Sequence, residues 1–535
     1  MTSIVSPVGR EHLGAPARGE RLSPLGLASL ALTAALAVTW VILQPATADL
    51  AAQVYRTELY QRSGWSLVDT GWFGGHSLLA YSLLTPQLMA TLGVGASGLL
   101  AATVTSVAFS RIARSVRPDR WVWATAWVAW AATADLLVGR VTYATGQAFA
   151  VLAVLALLRR RQPVACLLAA LAAAASPVAG VFLGFAAMVW WWVERRPGAL
   201  AMAASAAGVT LAVVLLFGDG GSQPYGASAA IAVSVAAGLW LVVSREERLA
   251  RCALGAYAAA VGASWALPTA MGSNVARLGV AFAVPVMLLS RRRLPAPVVG
   301  MVVAVAGAWL VFAPVTEVRK TVDAPEAGAA FYRPLLAELR RRGASGERIE
   351  VVPSATRWEA VQVPPQQPLA RGWATQIDRA RNPLFYAPGL TQEHYVQWLR
   401  ENAVSYVALS ATPRERWGQE EEALLERGVA GLRRVWSSGD WRLYAVVASE
   451  PLAGGARVSL MRGNEIRLEA KRRGTVVLRV RWSRFWAAGP GACVRRRDDG
   501  FMDVVVRRPG AVTLTASPLA LTSRGTRCAL VATAR

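Results

Sequence analysis

The sequence predicts an α-helical polytopic membrane protein that ends in a water-soluble C-terminal region, on three observations. Hydrophobic residues make up 54% of the 535 positions, more than an ordinary multidomain soluble chain carries. These residues gather into blocks of roughly twenty, the length that crosses a bilayer, and the blocks stop near residue 315. Arginine clusters separate the blocks, at a spacing that puts each cluster on the cytoplasmic side of a membrane.

In chain order, residues 1–23 are polar and carry Arg10, Arg18 and Arg21, which predicts a cytoplasmic N-terminal tail. A multi-pass domain over 24–315 follows. Pro24 to Gln44 makes the first crossing, and residues 45–93 form a large first outer loop, with Ser77 to Leu92 as an interfacial helix interrupted at Pro86. Val94 to Ser110 returns to the basic group Arg111, Arg114, Arg117 and Arg120. Trp121 to Val138 and Val141 to Leu158 are a hairpin around Gly139 and Arg140. The apolar run Pro163 to Val193 has arginines at both ends, so it reads as two short helices meeting at Pro177 and Gly180. Leu200 to Phe217, Ala227 to Ser244, Cys252 to Pro268, Val280 to Ser290 and Pro297 to Pro314 bring the expectation to eleven membrane segments. An odd number places the C-terminal region outside the plasma membrane.

Residues 316–450 predict an exported α/β domain. Its helices are Ala329 to Arg342, Thr391 to Asn402 and Glu420 to Gly428, and its strands are Arg348 to Pro353, VSYVALS, a strand around Val435, and Leu443 to Val447. From residue 451 to 535 the text alternates in short strands between glycine-containing turns, which predicts an antiparallel β module. That module holds 17 basic and 5 acidic residues, half of the chain's net charge of +24. Such a field favours membrane lipid head groups, lipid-linked phosphates or acidic polymers. No nucleic-acid-binding motif is present, so nucleic acid is not an expected partner. Cys166 and Cys252 read as packing residues, whereas Cys493 and Cys528, in an exported region, are candidates for a disulfide.

The chemistry centres on Ser63 to Pro86, SGWSLVDTGWFGGHSLLAYSLLTP, in the first outer loop. Asp69 and His76 stand around Gly71, Gly74 and Gly75, which allow sharp turns and close approach. Trp65 and Trp72 offer flat faces to a sugar ring or head group. A carboxylate at the lip of a membrane cavity suits a general base, or a ligand for a divalent cation such as Mg or Mn. The same residues also suit an aromatic interfacial belt around a turn. Asp135 lies near the outer end of its helix with Arg140 about one turn on, as a second acid or as an ion pair. Asn274 and Arg277 in GSNVARL suit phosphate. Arg371, Trp373, Gln376 and Asp378, with Arg381, Asn382 and Tyr386, form a polar and aromatic cluster. It suits gripping an acceptor glycan, or packing on the first outer loop.

Absences narrow the classes. The chain has no GxxxxGK[ST], no Rossmann glycine pattern after a strand and no GxSxG. An enzyme working outside the cell without nucleotides needs an activated substrate from the membrane.

Many helices, Asp69 in VDTGWFGGH within a long first outer loop, Asp135 as a second acid and a C-terminal exported domain resemble the GT-C superfamily of integral membrane glycosyltransferases. The phrases GGHSLLAYSLLTP, GRVTYATG, SPVAGVFLG, GSNVARLG and LARGWATQIDRARNPLFY also resemble actinobacterial multi-pass membrane proteins of the 6-pyruvoyl-tetrahydropterin-synthase-related type, whose activity is unassigned. The first resemblance implies transfer of a sugar from a polyprenyl-phosphate donor to a cell-envelope glycan acceptor, with Asp69 as base or metal ligand. No paired DxD or ExD occurs in the first loop, which leaves metal dependence open. Two rival expectations stand beside it: a transporter or flippase of lipid-linked intermediates or small solutes, and a noncatalytic envelope scaffold.

Overall fold

The computed structural model describes residues 24–244, 247–290, 294–521 and 528, so the expected N-terminal tail lies outside the described residues. The membrane part runs α1 (Pro24–Leu43), α2 (Ala48–Ser63), β1 (Val68–Asp69), β2 (His76–Ser77), α3 (Thr85–Leu92), α4 (Val94–Val116), α5 (Trp121–Val138), α6 (Val141–Leu158), α7 (Gln162–Ala175), α8 (Pro177–Glu194), α9 (Pro197–Phe217), α10 (Ala227–Val243), α11 (Arg248–Ala266), α12 (Ala276–Leu289) and α13 (Ala296–Arg319). Every block expected to enter the membrane is helical, but the count of crossings needs correction. Seven of these helical segments are long and apolar enough to span, α12 counted with the turn before it, and eight if the bent pair α1 and α2 is one span. The physical reason is length and charge. The 14 residues of α7 and the 17 of α10 reach only about 21 and 26 Å, short of a hydrocarbon core of about 30 Å, and α11 carries Arg248 and Arg251 in its first turn.

Proline sets several helix starts, because a first-turn residue needs no N–H partner. Pro163, Pro177, Pro197 and Pro297 all occupy first-turn positions. The break between α7 and α8 falls at Ser176, extended in backbone, whose hydroxyl accepts from Ala179 N. Small residues then let α6 to α9 approach closely. A side chain at Gly146 would come 2.7 Å from Ala179 Cβ, and one at Gly180 would come 2.6 Å from Ala173 Cβ. Within the first loop Ala48–Ser63 is helical, and of the helix expected over Ser77 to Leu92 only Thr85–Leu92 is helical, with Pro86 in its first turn; Ser77 belongs to β2 and the residues between turn irregularly.

The C-terminal region continues with α14 (Ala329–Arg341), β3 (Arg348–Val351), α15 (Glu359–Gln362), α16 (Thr375–Arg381), α17 (Gln392–Glu401), β4 (Val404–Ser410), α18 (Gln419–Arg427), β5 (Leu432–Ser438) and β6 (Trp441–Val446). Its sheet has the order β3-β4-β6-β5, with β3 parallel to β4 and the other pairs antiparallel. After it come β7 (Ala453–Gly454), β8 (Ala456–Arg462), β9 (Glu465–Ala470), β10 (Gly474–Leu478), β11 (Trp486–Ala488), β12 (Ala492–Arg496), β13 (Met502–Val506) and β14 (Gly510–Ala516). These strands make two antiparallel sheets, β12-β13-β10-β7 and β11-β14-β9-β8, over one core containing Ile466, Leu478, Trp486, Val504 and Leu514. A disulfide joins Cys493 to Cys528.

The first loop is the hub on which these parts meet. Tyr55, Leu59, Trp72, Phe73 and Leu78 are buried in one core with Leu335, Ile349 and Leu443 of the α/β unit. Leu67, Val68 and Leu79 join the β-module core. Polar bonds fix the docking: Trp358 Nε1 donates to Ala46 O (2.8 Å), Trp373 Nε1 to Ala48 O (2.6 Å), and Leu67 N to Asn464 Oδ1 (2.7 Å).

Candidate functional site

Between one end of the apolar helices and the α/β unit lies a vestibule of about 1300 Å3. Its floor is lined by Asp49, Arg140, Thr142, Tyr143, Asn274 and Arg277, its walls by Arg56, His76, Tyr81 and Asp219, and its roof by Arg357, Trp373, Gln376 and Glu415. Glu317 and Lys320 at the end of α13 complete the rim. Val213 and Val214 of α9, Ala232 and Val233 of α10, and Val305 and Phe312 of α13 give it an apolar side. A second cavity of about 620 Å3 reaches down among the helices, lined by Phe109, Val151, Phe182, Trp240, Leu254 and Phe282. Tyr143, Val233 and Val305 line both.

His76 reaches the vestibule through the β1–β2 hairpin. Asp69 pairs with His76 across that two-residue ladder, and the turn between them needs positive φ at Phe73, Gly74 and Gly75. The His76 ring stacks on Trp72 at 5.4 Å and meets Phe73 edge-on at 5.9 Å. Its Nδ1 stands 3.7 Å from Asp69 Oδ2. Asp69 itself is not in the vestibule lining. It is buried behind the histidine, accepting from the Tyr55 hydroxyl at 3.0 Å and Gly71 N at 2.8 Å. Burial pushes the Asp69 carboxyl up to about 6, against the Gly71 N–H and the Tyr55 hydroxyl, which favour its ionised form. Burial, helped by the Arg56 and Arg381 cations, holds the His76 imidazole well below its ordinary value.

The remaining vestibule charges are mostly paired. Arg140 is held between Asp49 (3.1 Å) and Asp135 (3.2 Å). Arg381 binds Asp219 at 3.0 Å, while Ser77 N donates to the same carboxylate at 2.6 Å, tying the α9–α10 loop to α16 and β2. Lys320 binds Glu317 at 2.8 Å, and Arg357 donates to Trp373 O at 2.8 Å with Glu415 at 3.7 Å. Arg277 instead lies 5.3 Å from the Tyr143 ring, at the junction of the two cavities.

The residues singled out in the sequence divide accordingly. His76, Arg140, Asn274, Arg277, Trp373 and Gln376 converge on the vestibule. Asp135 does not line it; its carboxylate meets Arg140 and faces only a small side cavity shared with Arg140 and Arg277. Trp72 is fully buried as packing against Tyr55, with its Nε1 on Ala360 O, and Trp65 is 54% exposed away from the vestibule. Arg371 and Asp378 are spent on each other at 3.0 Å inside a buried network with Glu421, Asn382 and Tyr386. Arg56, Tyr81, Asp49 and Asp219 were not foreseen. Arg56 sits in the amphipathic run ADLAAQVYRTELYQRS, where its place on the buried face was the available signal.

Among the described residues no group of three or more His, Cys, Asp or Glu converges as a metal site requires. Asp69, off the vestibule lining and hydrogen-bonded to Tyr55 and Gly71, would offer a cation there a single carboxylate. No protein-family model matches the chain, and no curated protein matches it.

Proposed function

We propose that the protein is a membrane glycosyltransferase that moves a sugar from a polyprenyl-phosphate donor to a cell-envelope acceptor on the outer face of the membrane. The observation that carries this reading is the adjacency of the charged vestibule and the apolar cavity, which share Tyr143, Val233 and Val305 as lining residues. A molecule with a long apolar tail and an anionic head matches that pair of environments, because each part is buried among groups of its own polarity. In this reading the N-terminus and the arginine clusters are cytoplasmic. The vestibule then faces outward, and the disulfide of the C-terminal module stands in an oxidising compartment.

In the reaction the acceptor hydroxyl oxygen bonds to the anomeric carbon while the bond from that carbon to the phosphate oxygen breaks. The polyprenyl phosphate leaves with the electron pair, and the hydroxyl proton passes to a base. The vestibule carboxylates Asp49, Asp219, Glu317 and Glu415 each face a cation, which leaves His76 as the base. Its depressed proton affinity keeps the ring neutral at pH 7 and free to accept. Asp69, directly behind Nδ1, stabilises the imidazolium that forms. Arg277 stands where the tail gives way to the head, placed to offset charge on the leaving phosphate.

The test is transfer from a radiolabelled polyprenyl-phosphate sugar to an envelope acceptor extract, in membranes holding wild type or His76→Gln. Wild type should transfer, and the variant should lose roughly 10²–10⁴-fold. Normal insertion with no transfer from any donor contradicts the enzyme reading. It would favour carriage of a lipid-linked molecule, which the same pair of adjoining cavities suits.

A further inference from the structure

Burying a cation without a counter-ion is costly unless something replaces its hydration. Arg56 is such a cation: it is 3% exposed, and its Nε and Nη1 have no hydrogen-bond partner. What it has instead are rings. Its guanidinium lies 3.8 Å from the Tyr81 ring centre, with Trp373 at 5.4 Å and Trp72 at 5.5 Å. A guanidinium over aromatic rings keeps its charge, and here its Nε and Nη1 donors remain without a partner. Arg140, Lys320 and Arg357 differ in meeting carboxylates, and Arg277 lies over the single ring of Tyr143.

Arg56, Tyr81 and Trp373 all line the vestibule. We propose that Arg56 is an oxyanion-binding site, distinct from Arg277, that takes a phosphate or carboxylate carried on a sugar, with Trp373 as a flat wall for the ring. A planar donor set held on an aromatic platform matches either anion. The group has two sources, the phosphate of the lipid-linked donor or an acidic group on the acceptor. This inference deepens the reading of the vestibule as a sugar-transfer site and rests on it, but binding is measurable apart from transfer.

The test uses the full-length protein in lipid nanodiscs and calorimetric titration with glucose 1-phosphate, glucuronate and glucose. In wild type both charged sugars should bind at least tenfold more tightly than glucose, and Arg56→Gln should abolish that preference. Equal binding of the three by wild type, or an unchanged preference in Arg56→Gln, overturns the proposal. If Arg56→Gln does not fold, Arg56→Lys decides: a preference reduced several-fold supports the site, and an unchanged one overturns it. A second titration compares polyprenyl phosphate with polyprenol. Loss of that discrimination in Arg56→Gln assigns the anion to the donor, and its survival beside lost glucuronate binding assigns it to the acceptor; both support the site. Charged-sugar binding that depends on Arg56, with no transfer from any donor, removes the transferase reading and keeps the site.

Discussion

Asp69 and His76 face each other across the β1–β2 hairpin, His76 Nδ1 standing 3.7 Å from Asp69 Oδ2, and only the histidine reaches the vestibule. The acid that dominates the first loop in the sequence thus lies behind its neighbour, off the vestibule lining.

That relationship fixes a pH profile. Asp69 binds its proton near pH 6, so as pH falls through about 6 the histidine loses the negative charge behind it. Transfer measured from pH 5 to 8 should decline below about pH 6. In Asp69→Asn the residual activity, reduced at every pH, should lack that limb.

The same carboxyl sets a stability difference with a definite sign. Its folded value, about 6, lies above the ordinary 3.8, so the folded state holds the proton more tightly than the unfolded chain. Ionisation then costs stability progressively from about pH 4 to about pH 6, on the order of 2–3 kcal/mol in all. His76 is present in wild type and variant alike and largely cancels in their difference. The unfolding temperature of Asp69→Asn relative to wild type should climb between pH 4 and 6 and stay level to pH 8. A constant difference across that window contradicts the assignment.

Gly139 holds the α5–α6 turn against α2. It has φ 94°, and a Cβ there would lie 2.3 Å from Leu50 N. Gly139→Ala should cost about 1–3 kcal/mol, seen as a lower unfolding temperature in detergent. It should also disturb the Arg140 bridge to Asp49 next to it.

Arg371 neutralises a buried acidic cluster. Its guanidinium meets Asp378 at 3.0 Å and Glu421 at 3.1 Å, with Glu350 at 3.9 Å. Glu350 and Glu421 are already pushed up, chiefly by burial. Arg371→Met should destabilise by roughly 3–5 kcal/mol. The loss should be smaller at pH 5 than at pH 8, because the stranded carboxyls then take up protons. Surviving protein should bind vestibule ligands normally, which separates Arg371 from substrate contact.

The helices were legible because apolar blocks bounded by arginine leave little choice of structure, and the α7–α8 break was legible at Pro177. The number of crossings was not, since α7, α10 and α11 are apolar enough to read as spans but fall short in length or hydropathy. Within the site, His76, Asn274 and Arg277 could be picked out as polar residues at the outer ends of apolar blocks. The partner of Arg140 could not: Asp49 lies 91 residues away, and only packing of α2 on the α5–α6 turn brings them together. Trp72 and Trp65 illustrate the same limit. Periodicity identifies aromatic residues near an interface, but in an irregular loop it does not say which one turns into the core.

The proposed transfer requires the donor's tail to lie in the apolar cavity with its head in the vestibule. The most direct measurement is photo-crosslinking of the purified protein with a polyprenyl-phosphate analogue bearing a diazirine in its tail, mapped by mass spectrometry. Label on cavity residues such as Phe182, Trp240 or Phe282, competed by unlabelled polyprenyl phosphate, is the expected result. Label confined to exposed apolar residues such as Trp123 or Leu215, with no competition, would contradict it.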